Sequence, residues 1–251
     1  MQQSNKPLII KVGTSSITNA DGLIDTEQMK NIVEQIVRLH EEGHRIILIT
    51  SGAVGTGKTL TALHDTSDDI AQRQVFAAVG QAALIGEYRK FFSVHNVVPA
   101  QILLTKEDFR DDLHRANIER CLKALLHEKI IPIINENDTT AIEELMFTDN
   151  DELTMLIAIL LEASRVVMLT SVDGVLVDGV IVPSIDKTSI KNVIKSLDGT
   201  LSRVGRGGMK SKLHYAEILM GHGIPVVIAH ARKPHIIEDV ICKKAIGTYI
   251  T

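Results

Sequence analysis

The chain is poor in several residue types, and each shortage narrows what it can be. It has no tryptophan, and aromatic residues make up 3% of its 251 residues, so aliphatic side chains must fill any hydrophobic core. Its two cysteines, Cys121 and Cys242, lie far apart without metal-binding spacing, which is typical of a reduced, cytosolic protein. No apolar run is long enough to span a membrane, and residues 1–7 do not resemble a signal peptide. We therefore expect a cytoplasmic protein without a membrane partner.

The charge balance excludes one further class of partner. The formal net charge is −4 at pH 7, so nonspecific binding to nucleic acid is not expected. Small anionic substrates are still allowed, because local fields decide their binding. Hydrophobic residues make up 45% of the chain, which is enough for a sizeable core, and the length allows one large domain or two small ones.

Apolar runs typical of buried strands alternate with helical segments along the whole chain. The predicted strands cover residues 8–12, 45–50, 97–104, 130–134, 166–170 and 225–229, the last being the final core strand. The predicted helices cover residues 25–42, 70–92, 110–128, 151–163, 187–197 and 209–222, and a small hairpin turns at Asp178-Gly179. This alternation predicts one α/β domain, residues 1–251, folded as a three-layer α/β/α sandwich around a mainly parallel sheet.

One of the apolar runs ends abruptly in polar residues. The segment Asn135-Glu136-Asn137-Asp138 ends the run, and Asp149-Asn150-Asp151 follows shortly afterwards, before an apolar helix. In open α/β sheets ligands bind at the carboxyl ends of the strands, so these residues indicate a site. The alternative is an ordinary polar loop in which one aspartate caps the helix.

Two lysines occupy positions that disfavour a positive charge. Lys11 lies within the apolar first strand, and Lys212 lies in the first turn of a predicted helix, where its charge opposes the helix dipole. A bound phosphate would stabilise the positive charge of both lysines. The glycine-containing turns at 13–15, 51–53 and 205–212 would let backbone N–H groups approach that phosphate. Together with the acidic segment, which could hold the lysines, these features indicate phosphoryl transfer. The alternatives are a strand-edge lysine that reaches water and an exposed first-turn lysine.

Residues 52–59 fit the P-loop pattern, which would use Lys58 and Thr59 to bind nucleotide phosphates. The context is weak, because Thr66-Ser67-Asp68-Asp69 interrupts the helix that should follow and no later strand ends cleanly in a magnesium-binding aspartate. We therefore prefer a flexible glycine turn at this place. A P-loop nucleotidase stays open as an alternative.

Residues 40–44 fit the H-E-x-x-H pattern of zinc proteases. That chemistry needs both histidines on one face of a continuous helix. Gly43 ends the predicted helix between them, so we expect no zinc site here.

The order and spacing of the short motifs resemble those of the glutamate 5-kinases, a branch of the amino-acid kinase superfamily. The matching motifs are Lys11-Val12-Gly13-Thr14-Ser15, Thr50-Ser51-Gly52-Ala53, Gly80-Gln81, Gln101-Ile102-Leu103-Leu104-Thr105, Asn135-Glu136-Asn137-Asp138, Asp149-Asn150-Asp151 and Gly207-Gly208-Met209-Lys210-Ser211-Lys212. The resemblance implies the same three-layer fold and a transfer of the γ-phosphoryl group of ATP to the side-chain carboxylate of L-glutamate, the first step of proline biosynthesis. It also implies that the N-terminal part binds mainly glutamate and the C-terminal part mainly ATP.

The resemblance also implies roles for individual residues. Lys11 and Lys212 would stabilise the charge of the transferred phosphoryl group, and Asp151 would orient both lysines. The implied glutamate-binding residues are Ser51, Gly52, Asp138 and Asn150. The implied ATP-binding residues are Lys11, Gly13, Thr170, Ser171, Arg206, Gly207, Gly208, Met209, Lys210, Ser211 and Lys212. No metal ligands are implied, since Mg²⁺ would be held mostly by the nucleotide phosphates.

The chain departs from the family pattern in three respects. Many family members have aspartate where Ser171 stands, and the turn at Asp178-Gly179 is compact where a longer nucleotide-side loop is common. Many members also carry a C-terminal RNA-binding-like domain, and we expect this protein to be a short form without it. The resemblance further implies feedback inhibition by proline and a homo-oligomer, either a dimer or a tetramer. The alternatives within the fold are a kinase for another small acid, such as N-acetylglutamate or aspartate, and a non-catalytic sensor of an amino acid or nucleotide.

Overall fold

The computed structural model describes residues 6–19, 21–61, 68–141, 150–197, 208–244 and 246–251. The strands are β1 (Leu8–Val12), β2 (Ile46–Thr50), β3 (Pro99–Leu104), β4 (Ile131–Glu136), β5 (Arg165–Thr170), β6 (Leu176–Val177), β7 (Val180–Ile181), β8 (Ser184–Ile185), β9 (Val226–His230) and β10 (Thr248–Ile250). The helices are α1 (Thr14–Ile17), α2 (Thr26–Glu41), α3 (Ala53–Leu60), α4 (Asp69–Ser93), α5 (Asp112–His127), α6 (Asn150–Leu160), α7 (Ile190–Ser196), α8 (Met209–Gly221) and α9 (Ile236–Ile241).

Eight of the described strands form one sheet, in the order β3-β4-β2-β1-β5-β9-β10-β8. Neighbouring strands are parallel except for β9 and β10. The mainly parallel sheet predicted from the sequence is therefore confirmed. Because β1, β2, β4 and β5 run in one direction, their carboxyl ends meet at a single edge, and every residue of β1 and β2 is buried.

Helices cover both faces of this sheet, which confirms the three-layer sandwich. Successive side chains of β1 point to opposite faces, so Ile9 belongs to the core cluster that includes residues of α5, α6, α7 and α8. Ile10 belongs to the cluster on the other face, which includes residues of α1, α2, α3, α4 and α9. None of the helices in the described ranges is both long and apolar enough to cross a membrane.

The predicted hairpin after β5 is present as β6 and β7. Its turn residues, Asp178 and Gly179, have φ values of 50° and 79°. A turn with positive φ at both central residues suits the twist of a two-residue hairpin, which explains the Asp-Gly pair.

Two elements follow the strand predicted to be the last of the core. The buried side chains of α9 pack on one face of the sheet, and β10 pairs antiparallel with β9. The strand predicted at 225–229 is present as β9, but the prediction that it is the final core strand was wrong, because β10 follows it in the sheet. Strands β8 and β10 are two and three residues long, too short to produce a recognisable apolar pattern.

The segment predicted to be a flexible glycine turn is the helix α3. It packs against α4 so closely that a β-carbon added to Gly57 would lie 1.8 Å from the carbonyl oxygen of Phe76. A β-carbon added to Gly80 would lie 1.8 Å from the carbonyl oxygen of Ala53. The turn prediction was wrong because these glycines allow two helix backbones to touch, a packing role that the spacing of the motif does not reveal.

The same helix contradicts the P-loop alternative. A P-loop holds phosphate with backbone N–H groups of a loop that precedes a helix. Here the N–H of Thr56 donates to the carbonyl oxygen of Gly52 at 2.9 Å, within the helical hydrogen-bond pattern. Lys58 is exposed, and its Nζ lies 5.8 Å from the centre of the Phe76 ring. The use of Lys58 and Thr59 as a phosphate site was therefore wrong.

The histidines of the H-E-x-x-H segment do not share a helix. Helix α2 ends at Glu41, and Gly43 adopts φ of 91° before His44 leads into β2. Burial, followed by the nearby charge of Lys129, lowers the pKa of His40. In the described parts of the chain, no group of three or more His, Cys, Asp or Glu side chains could hold a metal ion.

Candidate active site

One buried carboxylate holds two lysine ammonium groups at the carboxyl ends of the central strands. Nζ of Lys11 lies 2.7 Å from Oδ1 of Asp151, and Nζ of Lys212 lies 2.8 Å from Oδ2. The side chain of Asp151 is fully buried, while those of Lys11 and Lys212 are 4% and 10% exposed. The fold thus brings together the three residues to which the resemblance gives a catalytic role. We term Lys11 and Lys212 the lysine pair, and Asp151 lies between them.

The lysine pair decides the charge state of the aspartate between its members. Burial alone would raise the pKa of Asp151, but the charges of Lys11 and Lys212 outweigh burial and hold the pKa below its usual range. The carboxylate is therefore ionised at neutral pH. Two ammonium groups and one carboxylate leave a net positive charge in a buried place, which favours a further anion.

Three elements position these groups. Lys11 is the fourth residue of β1, and an added β-carbon at Gly13 would be in ordinary van der Waals contact with its Nζ, at 3.8 Å, so the turn after β1 lies beside the ammonium group. Asp151 lies in the first turn of α6, where the helix dipole favours a negative charge. Lys212 lies in the first turn of α8, where the dipole disfavours a cation, and its ion pair with Asp151 offsets that effect.

A second polar cluster adjoins the lysine pair, and we term it the amide patch. It combines the ends of β2 and β4, the start of α6 and the middle of α4, and its members are Thr50, Ser51, Gln81, Asn135 and Asn150. Nδ2 of Asn150 donates to Oγ of Ser51 at 2.8 Å, to Oδ1 of Asn135 at 2.7 Å and to the carbonyl oxygen of Thr50. Nδ2 of Asn135 in turn donates to Oε1 of Gln81 at 2.8 Å. Because Asn150 and Asp151 are consecutive, the amide patch lies directly beside the lysine pair.

The chain turns sharply after Ser51, and this turn sets the position of its hydroxyl group. Gly52 has φ of 108°, a left-handed conformation that favours glycine, and it is the N-cap residue of α3. The preceding residue, Thr50, is fully buried, and its Oγ1 lies 2.9 Å from the hydroxyl oxygen of Tyr88. Ser51 is therefore held between a fixed strand end and a fixed helix start.

Asp138 lies just beyond β4, two residues after the last residue of that strand. Its Oδ1 accepts a hydrogen bond from Nη2 of Arg73 at 2.7 Å. The side chain of Asp138 is 10% exposed and that of Arg73 is 26% exposed. Asp138 thus forms an ion pair with a residue of α4 for which the sequence gave no functional prediction.

The end of β5 contributes two of the implied ATP-binding residues. Thr170 is the last residue of β5, and its Oγ1 accepts a hydrogen bond from the N–H of Val172 at 2.9 Å. Ser171, which follows it, is exposed. The N–H of Gly13 donates to the carbonyl oxygen of Leu169 at 3.4 Å, so the turn after β1 lies against this strand end.

The start of α8 contributes most of the other residues implied to bind ATP. Gly208 is the N-cap residue of α8, and Met209, Lys210 and Ser211 form its first turn ahead of Lys212. These residues therefore lie beside the lysine pair. Two implied ATP-binding residues lie outside the described ranges, namely Arg206 and Gly207.

Gln81 and Asn135 lie within motifs that match the family, but the sequence alone does not indicate a role for either residue. Their contact depends on the way α4 crosses the end of β4, which no local pattern reports. Arg73, Ala77 and Gln81 recur every four residues on α4 and so lie on one face of that helix. This four-residue recurrence, which leads to Gln81 in a matching motif, is the sequence feature that could have indicated that Arg73 lies near the site.

The fold is found in solved structures of other kinases. The structure of Giardia carbamate kinase matches 99% of this chain and 99% of its own length, with a TM-score of 0.70 and 17% sequence identity. A UMP kinase from Bacillus anthracis matches 98% of this chain and 96% of its own length, with a TM-score of 0.65 and 13% identity. At these identities the likeness concerns the fold alone.

Comparison with proteins of similar sequence narrows the family further than the structural comparison does. The amino acid kinase family matches residues 6–230. Proteins named glutamate 5-kinase are 40% identical over 245 residues in Chlorobaculum tepidum and 37% identical over 248 residues in Bacteroides thetaiotaomicron, each match covering 96% of this chain and 68% of the relative. The glutamate 5-kinase of Clostridium acetobutylicum is 36% identical over 250 residues, which cover 96% of this chain and 92% of that protein. This chain therefore belongs to the amino acid kinase family.

Proposed function

We propose that this protein is a glutamate 5-kinase, which transfers the γ-phosphoryl group of ATP to the side-chain carboxylate of L-glutamate and releases glutamyl 5-phosphate and ADP. The observation that carries the proposal is the lysine pair on Asp151, placed directly beside the amide patch. The relatives named glutamate 5-kinase support glutamate as the acceptor. The product would be the first intermediate of proline biosynthesis.

The reaction needs positive charge and alignment more than it needs acid–base groups. An oxygen of the glutamate side-chain carboxylate attacks the γ-phosphorus, and the bond from that phosphorus to the β–γ bridging oxygen breaks, so ADP leaves with the electron pair. A free glutamate side chain has a pKa of about 4.3 and is already ionised at neutral pH, so no general base is required. Lys11 and Lys212 would stabilise the negative charge on the migrating group, and Asp151 would keep both lysines in place.

The two substrates would occupy neighbouring parts of a single domain, residues 1–251. Glutamate would bind at Ser51, Gly52, Asp138 and Asn150. The nucleotide would bind along the end of β5 and the start of α8, where backbone N–H groups and the helix dipole favour phosphate. The residues proposed for the nucleotide are Lys11, Gly13, Thr170, Ser171, Arg206, Gly207, Gly208, Met209, Lys210, Ser211 and Lys212.

ATP use follows from the kinase family, and we propose Mg²⁺ as its companion ion. Within the described ranges there is no acidic cluster that could form a protein cage for the ion. Magnesium usually keeps few protein ligands and binds through substrate phosphates, so the nucleotide would hold it. The family resemblance also leads us to propose feedback inhibition by proline, a homo-oligomer of two or four chains, and a cytoplasmic location.

The experiment that tests this function measures ADP release from Mg-ATP in the presence and absence of L-glutamate. Trapping with hydroxylamine identifies an acyl phosphate product. Parallel assays with N-acetyl-L-glutamate and L-aspartate test the other small acids, and we expect L-glutamate to give the highest kcat/KM. A folded sample that binds ligand without glutamate-dependent ADP release would instead be a sensor and would refute the proposal.

A further inference from the structure

Arg73 contacts the site but belongs to none of the groups discussed for phosphoryl transfer. It lies in α4, and its guanidinium meets Asp138 with Nη2 and Oδ1 2.7 Å apart. Two turns further along the same helix, Gln81 meets Asn135. Helix α4 therefore lies along the end of β4 and presents Arg73 and Gln81 to the same side of the site.

The guanidinium has a donor that its ion pair does not use. Nε of Arg73 is buried, and among the described residues it has no hydrogen-bond partner. A buried guanidinium N–H without an acceptor is costly, because the group has lost water and gained nothing in exchange. Asp138 accepts from Nη2 alone, so the ion pair holds the arginine in place while the buried Nε–H has no acceptor among the described residues.

The substrate supplies the missing acceptor under the proposed function. Glutamate has two carboxylates, of which one receives the phosphoryl group beside the lysine pair. The second carboxylate is attached to the α-carbon, at the far end of the molecule, and would need its own cation. Asp138 repels a carboxylate but suits an ammonium group, whereas a guanidinium matches a carboxylate in both charge and shape.

We propose that Arg73 binds the α-carboxylate of the amino-acid substrate through Nε, while Asp138 holds Arg73 and receives the α-ammonium group. This inference rests on the proposed function and makes Arg73 a specificity-determining residue. The site would then contact both ends of the amino-acid substrate. The amide patch and the lysine pair would take the reacting carboxylate, and the Arg73–Asp138 pair would take the α-carbon substituents.

The test compares two substrates that differ only at the α-carboxylate. L-isoglutamine keeps the side-chain carboxylate that is phosphorylated but has an α-carboxamide. For the wild type we expect kcat/KM for L-glutamate to exceed that for L-isoglutamine by about 10²-fold or more, because the buried donor is left without its anionic partner. In Arg73→Met that preference should fall to within a few-fold, mainly through a higher KM for L-glutamate, with KM for ATP unchanged. Arg73→Lys should retain only part of the preference, because lysine keeps the positive charge but lacks the planar set of N–H donors of the guanidinium.

The matched control is Arg89→Met, which removes an exposed arginine from the same helix and should leave the preference at its wild-type value. If Arg73 merely positions Asp138, Arg73→Met should lower kcat/KM for both substrates alike and keep their ratio, and that result would overturn the inference. Circular dichroism identifies folded variants. If Arg73→Met does not fold, the substrate preference is measured in Arg73→Lys, where we expect a value between that of the wild type and no preference. A wild type that phosphorylates neither substrate would overturn the proposed function itself, whereas an active wild type with an unchanged ratio in the variants overturns only the role of Arg73.

Discussion

Asn150 and Asp151 are consecutive residues at the start of α6, yet their side chains join different parts of the site. Asn150 donates to Ser51 and Asn135 in the amide patch, whereas Asp151 accepts from Lys11 and Lys212. A single helix start therefore connects the place proposed for glutamate with the place proposed for the phosphoryl group. Under the proposed function this arrangement would fix the two reactants relative to each other, which is the main requirement of phosphoryl transfer.

The first prediction separates the lysine pair from the P-loop-like segment. Lys212→Ala should lower kcat about 10²-fold or more, the scale of losing one group that stabilises transition-state charge. Lys58→Ala should leave kcat and KM for ATP nearly unchanged, because Lys58 is exposed beside Phe76. Steady-state ADP release measures both variants. An inactive Lys58→Ala with an active Lys212→Ala would reverse the assignment.

The second prediction concerns stability. Asp151→Asn leaves two buried ammonium groups side by side without their counter-charge, and we expect the free energy of unfolding to fall by about 3–5 kcal/mol. The control, Asp112→Asn, removes an 88% exposed partner of Arg115 and should change it by no more than about 0.5 kcal/mol. Urea unfolding gives both values. Equal stability losses in the two variants would show that the buried carboxylate is unimportant.

The third prediction follows from the lowered pKa of Asp151. Its folded-state pKa lies below the unfolded value of about 3.9, so its contribution to stability is complete above that pH. As the pH falls further, towards the folded-state pKa, the unfolded chain binds the proton first and the contribution is lost. The gap in unfolding free energy between wild type and Asp151→Asn should therefore be constant near neutral pH and narrow below about pH 4. A gap that widens on acidification would be inconsistent with this sign.

The fourth prediction tests why α3 contains glycine. Gly57→Ala should destabilise the protein by about 1–3 kcal/mol or more, because its β-carbon would meet the backbone of Phe76. Gly55→Ala in the same helix has nothing within 4 Å and should stabilise the protein by about 0.5–1 kcal/mol. Thermal unfolding of the two variants gives the comparison. Shifts of the same sign would contradict the packing role of Gly57.

Much of the sheet could be predicted from the sequence because its strands are buried on both faces. Strands β1 and β2 appear as predominantly apolar runs. Lys11 is noticeable because it is the charged residue within the apolar run of β1. Its partner Asp151 was also identifiable as a candidate, since the carboxylates of the segment before the apolar helix could either cap that helix or hold lysines. The local sequence pattern therefore indicated both partners of the buried ion pair, Lys11 and Asp151.

The remaining features depend on tertiary contacts that local patterns do not encode. Glycines in α3 lower its intrinsic helix propensity, and only the close packing on α4 compensates for that. Likewise, Arg73 and Gln81 are two polar residues of a long helix, and their part in the site depends on how that helix crosses the end of β4. No spacing rule within α4 specifies that crossing.

The measurement that tests the central claim most directly is a crystal structure of the wild-type protein with ADP, Mg²⁺, tetrafluoroaluminate and L-glutamate. The fluoride complex occupies the position of the transferred phosphoryl group. We predict that Nζ of Lys11 and Nζ of Lys212 both lie within hydrogen-bond distance of it, with Asp151 still between them and the glutamate side-chain carboxylate on the opposite side from ADP. A complex in which either lysine stays on Asp151 alone and makes no contact with the fluoride group would contradict the account.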